Sequence, residues 1–200
     1  MDSRTIVLAL CLKYSNDWND VYAAIRRKDE LSDFDILRAQ NFSGHFVCIS
    51  DPEYPDLLRQ KVKPPFVLYY EGDISLLSGV DEGRYVFLHG ENDFNIPSDR
   101  ICVVTDDNRL CIAGRLTVWF NDLKRSIDRY GVAAGLCKTI VGTKVYPRGT
   151  WSWFCNITVM NAINLGSDIY LVPGDENSWN HLMIQEGCIE LNENTARSII

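Results

Sequence analysis

The sequence lacks the features that define several large classes of protein. It contains no run of 18 apolar residues, so nothing in it predicts a transmembrane helix. It also contains no P-loop, no Ser-His-Asp motif and no metal-binding motif, which removes the common signatures of NTPases, hydrolases and metalloenzymes. We therefore expect a protein that binds a partner, with no catalytic residues, no metal and no cofactor.

Paired cysteines are also missing. The seven cysteines are scattered along the chain and none belongs to a C-x-x-C pair. This pattern favours reduced thiols that serve as small apolar core residues, as in a cytoplasmic protein.

The chain has no excess of positive charge. Its 20 Lys and Arg stand against 27 Asp and Glu, a formal net charge of -7. A surface covered in phosphate-binding groups is excluded by this balance, although a local basic patch is compatible with it. The most basic run, Arg26 to Lys28, is followed by two acidic residues and is typical of the solvated end of a helix.

What the sequence does contain is enough apolar material for a core. Hydrophobic residues make up 46% of the chain and five are tryptophan. The first 45 residues are mostly helical in pattern, and the apolar run from Ile6 to Leu12 predicts a buried helix rather than a signal peptide. Farther on, short strands alternate with helices, which indicates the α/β class.

Two segments of the second half illustrate that alternation. Residues 114–131 carry Leu116, Phe120, Leu123 and Ile127 and predict a helix that ends at Gly131. Residues 168–174, DIYLVPG, predict a buried parallel strand, and a helix capped by Asn177 or Ser178 should follow it.

Prolines are concentrated between residues 51 and 77. Four of the seven prolines lie there: Pro52, Pro55, Pro64 and Pro65. Because proline fixes its own backbone and restricts the residue before it, the pair Pro64-Pro65 holds the chain extended. We interpret these prolines as architectural.

The proline-rich stretch resembles a segment of the DprA/Smf family of DNA-processing proteins. The matching residues are Tyr54-Pro55, Leu57-Leu58, Pro64-Pro65 with Leu68, and Gly72-Asp73 with Leu77. A second resemblance lies downstream, in Gly166, Val172-Pro173-Gly174, Asn180, Leu182, Ile184 and Gly187. Both occur in the order that the family shows.

The resemblance implies an α/β fold with a Rossmann-like, mostly parallel sheet and a small N-terminal helical layer. It divides the chain into a helical region at 1–50, a DprA-like segment leading into the sheet at 51–80, and a shortened Rossmann-like domain at 81–200. The family's Gly-Ser-Arg strand end is replaced by His89-Gly90-Glu91, and its Ser-Gly-Ser loop by Trp153-Phe154-Cys155. These departures suggest a divergent member, of phage or mobile-element origin.

Three loops are the candidate site, because ligands of open α/β sheets bind at the carboxyl ends of the strands. They span residues 89–91, 144–153 and 173–180. The second combines cations with aromatic rings, which suits phosphates and stacked bases. The candidate nucleic-acid-binding residues are Lys144, Arg148, Trp151 and Trp153, and the candidate nucleotide- or phosphate-binding residues are Gly90, Gly149, Thr158, Gly174 and Asn180.

Structural interpretations of the same residues remain open. Both tryptophans could be core residues and the cations solvated, and Asp175 and Glu176 oppose an anion at the third loop. The resemblance implies binding of single-stranded DNA during DNA uptake or recombination, with a RecA-type recombinase as partner and a homodimer as assembly. A nucleotide-binding module, or a scaffold that has lost its site, is the alternative.

Overall fold

The computed structural model describes residues 2–60, 63–77, 84–90, 100–106, 109–119, 137–150, 152, 154–155 and 166–199. The chain divides into two compact units. The first unit comprises Met1–Gly79 and Arg115–Arg125, and the second comprises Val80–Gly114 and Ser126–Ile200. The two N-terminal regions expected from the sequence thus fall into one unit, which also takes a short segment from the third.

Helices dominate the start of the first unit. Each of its three longer helices begins after a side chain that accepts a hydrogen bond from a free N–H group of the first turn: Asp2, Asp17 and Ser32. The helices of this unit are α1 (Ser3–Lys13), α2 (Trp18–Arg27), α3 (Asp33–Gln40) and α4 (Asp56–Arg59).

Helix α1 is the centre of the first unit's core. Five consecutive residues, Leu8 to Leu12, are buried, so the helix is covered on all sides. It packs against α3 and against the first strand, His45–Cys48, in a cluster that includes Val21, Cys48 and Tyr69. The predicted buried helix is confirmed.

Nine strands occur in the described residues, three in the first unit and six in the second. They are β1 (His45–Cys48), β2 (Val67–Gly72), β3 (Tyr85–His89), β4 (Ile101–Asp106), β5 (Arg109–Ile112), β6 (Leu116–Trp119), β7 (Thr139–Gly142), β8 (Asp168–Leu171) and β9 (Ile189–Glu190).

The first unit's sheet is antiparallel throughout. Strand β2 pairs with β1 on one side and with β6 on the other. The prediction of a helix beginning at Leu116 is wrong for residues 116–119, where Leu116 and Val118 are buried in alternation, as in a half-buried strand. The rest of that predicted helix, from Phe120 on, lies outside the described residues.

Two aromatic side chains hold the Pro64-Pro65 segment. The indole Nε1 of Trp18 donates to the carbonyl of Pro64 at 2.8 Å, and the hydroxyl of Tyr54 donates to that of Pro65 at 2.8 Å. The guanidinium of Arg59 donates to three backbone carbonyls of the preceding loop, those of Ile49, Asp51 and Tyr54. The bonds from Trp18 and Tyr54 fix the chain where it enters β2, and those from Arg59 fix the loop before α4.

The second unit is built on a sheet of order β5-β4-β3-β7-β8-β9. Strands β4, β3, β7, β8 and β9 run parallel, and β5 pairs with β4 in an antiparallel hairpin. Residues Tyr85 to Leu88 of β3 are all buried, as expected for a strand covered on both faces. The helices α5 (Trp179–Gln185) and α6 (Glu193–Ser198) flank β9 in sequence.

The predicted α/β class is confirmed, and so is the buried parallel strand at β8. The prediction of a mostly parallel sheet is not confirmed. Among the described strands only β3, β4, β7, β8 and β9 of the second unit pair in parallel, and those of the first unit pair antiparallel. Among the helices of the described residues, none is long and apolar enough to cross a membrane.

All seven cysteines are free thiols, as the sequence suggested, and four of them are buried. Burial raises the pKa of Cys48 to about 12 and that of Cys155 to about 11, and it raises the pKa of Cys11 and Cys137 as well. The neutral thiol is therefore the form that the fold favours.

We predict that these four cysteines react slowly with iodoacetamide at pH 8, because the reactive thiolate is a smaller fraction than in an unfolded chain, where the pKa is about 8.5. Mass spectrometry of partially alkylated protein measures each site, with protein in urea as the control. Alkylation of Cys48 at the same rate in native and denatured protein would contradict the burial described here.

Replacement of Tyr54 by Phe should lower the free energy of unfolding by about 1–2 kcal/mol, because the carbonyl of Pro65 loses its donor in a buried place. Urea unfolding measures the change. The matched control is Tyr22→Phe, whose hydroxyl lies on an exposed side chain and should be removable at almost no cost. Equal stability of Tyr54→Phe and wild type would exclude this bond as an anchor.

Candidate functional site

The strand order of the second unit fixes where a ligand would bind. Counted along the chain, the five parallel strands lie in the spatial order 2-1-3-4-5, and the order reverses between β3 and β7. In open α/β sheets the crevice at the carboxyl ends of the strands beside such a reversal is the usual ligand site. Gly90 directly follows β3, and Gly174 is the third residue after β8, so both lie at this carboxyl edge.

The loop that follows β7 is held at this edge by backbone hydrogen bonds. We call residues 143–150 the β7 loop. At its start the N–H of Thr143 donates to the carbonyl of His89 at 2.9 Å, and farther on the N–H of Arg148 donates to that of Asn177 at 2.7 Å. The carbonyl of Tyr146 accepts from the N–H of Trp179 at 2.7 Å. The loop is therefore fixed both to the end of β3 and to the start of α5.

Asn180 joins the β7 loop to β8. Its side chain is fully buried, and its Nδ2 donates to the carbonyls of Lys144 at 3.0 Å and Val172 at 2.9 Å. Its Oδ1 accepts from the N–H of Tyr146 at 3.1 Å. Both amide protons are used, so the amide serves to position the loop, and a ligand would contact the loop rather than Asn180 itself.

Aromatic side chains fill the interior behind the loop. The ring of His89 stacks on Phe154 with centroids 3.9 Å apart, and its Nε2 lies 2.6 Å from the hydroxyl of Tyr146. Trp179 packs edge-on against both Tyr146 and Phe154. The space at the reversal between β3 and β7 is thus lined by rings on its inner side.

Two glycines allow the backbones of this edge to approach closely. Gly90 has φ +122°, and a Cβ there would lie 2.3 Å from Oγ1 of Thr143. A Cβ on Gly174 would lie 2.6 Å from Cβ of Ser178, the residue that caps α5. Both glycines are required by packing within the protein, before any ligand is considered.

Charge at the carboxyl edge is mixed. Lys144 and Arg148 are exposed on the β7 loop, and the Nζ of Lys144 lies 5.4 Å from the ring centroid of Tyr146. Asp175 and Glu176 are exposed on the neighbouring loop before α5. Two cations on one loop can neutralise phosphates, and the adjacent carboxylates weaken the attraction.

The structure brings six of the nine sequence-predicted site residues to this edge: Gly90, Lys144, Arg148, Gly149, Gly174 and Asn180. Gly149 is exposed, with φ +81° and open space around the position of a Cβ. The other three, Trp151, Trp153 and Thr158, lie outside the described residues.

Sequence reasoning missed the partners behind the loop. His89 and Tyr146 both lie in predicted loops, 89–91 and 144–153, but neither the bond between them nor the stacking of Phe154 was predicted. A polar ring at the end of a buried strand was the available signal for His89, whereas the contact with Phe154 spans 65 positions and leaves no local pattern.

In the parts of the chain that are described, no group of three or more His, Cys, Asp or Glu residues is placed to hold a metal ion.

These features define an open α/β protein with a cationic loop fixed at the carboxyl edge of its parallel strands. No model of a known protein family matches the chain, and no curated protein sequence matches it significantly. The X-ray structure of DNA processing protein A (DprA) from Streptococcus pneumoniae is similar, with a TM-score of 0.53 and 15% sequence identity, over 98% of this chain and 92% of that one. At this identity the similarity shows a DprA-like fold.

Replacement of Asn180 by Ala should lower the free energy of unfolding by about 3 kcal/mol, because three backbone groups lose a buried partner. Chemical denaturation measures the loss. The matched control is Asn177→Ala, since Asn177 is exposed and contributes its backbone carbonyl to Arg148. The prediction fails if the two variants are equally stable.

Proposed function

We propose that the chain is a DprA-like DNA-processing protein that binds single-stranded DNA and catalyses no reaction. The observation that carries the proposal is the β7 loop, which presents Lys144 and Arg148 to solvent at the carboxyl edge of a DprA-like fold. Because hydrogen bonds fix the loop before binding, little conformational entropy is lost when its cations meet phosphates.

The balance of charge supports weak, salt-sensitive binding. The β7 loop carries two exposed cations and the neighbouring loop two exposed carboxylates, so phosphate contacts provide a small attraction that salt screens. In this proposal the protein works in the cytoplasm during DNA uptake or recombination. A RecA-type recombinase and a second copy of the chain are the protein partners that the sequence resemblance implies.

A nucleotide-binding module is the second candidate function. The reversal of strand order between β3 and β7 favours it, because nucleotides bind at such reversals. The rings of His89, Tyr146 and Phe154 pack together behind the β7 loop and occupy the space on its inner side. DNA binding on the exposed side of the β7 loop is therefore the better supported function. A thermal-shift measurement with nucleotides distinguishes the candidates: a nucleotide-dependent rise in Tm without DNA binding would favour the module.

The DNA proposal predicts a specific salt dependence. The two phosphate contacts of the β7 loop contribute about -1.4 to the slope of log K against log salt on a single strand, and Lys144→Glu or Arg148→Glu should each reduce its magnitude by about 0.7. Fluorescence anisotropy of a labelled oligodeoxythymidylate, titrated at several salt concentrations, measures the slopes.

The control for these variants is Arg84→Glu. Arg84 is exposed and precedes β3, so the same charge reversal is made at the opposite ends of the parallel strands. It should leave the slope unchanged apart from a small uniform weakening. Absence of binding by the wild type at low salt, or an equal loss in all three variants, would refute the proposed loop.

A further inference from the structure

We propose a second contact site for single-stranded DNA on the first unit, formed by an aromatic stack on α2. Three rings lie face to face: Phe66, Trp18 and Tyr22. The centroids of Trp18 and Tyr22 are 4.8 Å apart at 12°, and those of Trp18 and Phe66 are 5.5 Å apart at 23°. We call these rings the α2 stack.

The α2 stack is rigid at one end and open at the other. Trp18 lies between two rings and is fixed by the bond from its Nε1 to the carbonyl of Pro64, so it cannot turn freely. Tyr22 has one face against Trp18 and is 44% exposed. Support of the proline segment requires Trp18 and Phe66, but it does not require an exposed ring beyond them.

One cation lies beside Trp18, and another lies one helical turn from Tyr22. The Nζ of Lys63 lies 5.3 Å from the ring centroid of Trp18. It is held there by a hydrogen bond that it donates to Oδ1 of Asn19 at 2.9 Å. Arg26 follows Tyr22 by four residues, one helical turn along the same face, and is exposed. Within the described residues, Arg26 forms no ion pair.

None of the described α2 residues one helical turn from Tyr22 is acidic. The helix neighbours of Tyr22 at three and four positions are Trp18, Asn19, Ile25 and Arg26. An exposed ring with cations nearby is an arrangement that binds single-stranded nucleic acid, because a base stacks on the ring and neighbouring phosphates meet the cations. A base placed on Tyr22 would extend the α2 stack by one ring.

The α2 stack rests on the proposed function only in its ligand, single-stranded DNA. Its residues belong to the first unit, whereas those of the β7 loop belong to the second. Tyr22→Ala should weaken binding of a labelled oligodeoxythymidylate roughly 10-fold, because one stacked base is lost. Tyr22→Phe keeps the ring and should bind as the wild type does. Lys63→Glu and Arg26→Glu should weaken binding and reduce the magnitude of the slope of log K against log salt.

The controls lie on the same unit. Phe34→Ala removes another exposed ring, on α3, and Arg115→Glu reverses a charge beside Gly72, at the far end of β2 from Lys63. Neither should change the affinity. The melting temperature of each variant confirms that it is folded.

Ultraviolet cross-linking of the wild type to the oligodeoxythymidylate locates the contact directly. Trypsin releases Tyr14 to Arg26 as one peptide, which contains both Trp18 and Tyr22, and this peptide should carry the cross-linked nucleotide. Wild-type affinity of Tyr22→Ala together with loss of binding in Lys144→Glu would overturn the second site and leave the proposed function standing.

Two further outcomes are decisive. Loss of binding only in the first-unit variants would support the α2 stack and refute the β7 loop. A change of oligomeric state in Tyr22→Ala, seen by sedimentation with unchanged DNA affinity, would show that the ring serves contact between copies of the chain, and would overturn this inference.

Discussion

The carboxyl edge of the second unit depends on one buried amide. Asn180 comes from α5, yet its three hydrogen bonds end on the β7 loop and on the end of β8. A buried amide that satisfies three backbone groups at once cannot be replaced by an apolar residue without leaving those groups unpaired. The exposed positions of Lys144 and Arg148 follow from this constraint, because among the described residues the loop that carries them pairs as a strand only through a single bridge at Pro147.

The first unit solves a related problem with different chemistry. Pro64 and Pro65 have no N–H to donate, so the segment cannot be fixed by a continuous ladder of strand bonds. Its two carbonyls instead accept from the side chains of Trp18 and Tyr54, and the aromatic rings supply the packing. Trp18, which supports the proline segment, also stacks on the exposed ring of Tyr22, so the same architecture holds the α2 stack in place.

Local patterns predicted much of this structure. The buried helix α1, the buried strand β8 and the cap at Ser178 are all set by neighbouring residues, and each is present. The strand at Leu116 was missed because its partner, β2, lies more than 40 positions away, and tertiary pairing overrode a helical spacing. For the site, glycines at strand ends were identifiable from sequence, whereas the engagement of Asn180 depends on a fold that brings three loops together.

The course of the backbone between the units has a consequence for synthesis. The chain completes β1 and β2, builds β3, β4 and β5 of the second unit, and only then supplies β6, the third strand of the first. On the ribosome, the earliest part of the protein therefore waits with one edge of β2 unpaired until residue 119 has emerged from the exit tunnel. The first unit is therefore incomplete until β6 has been synthesised, and a chain that ended between β2 and β6 would lack the unit's last strand.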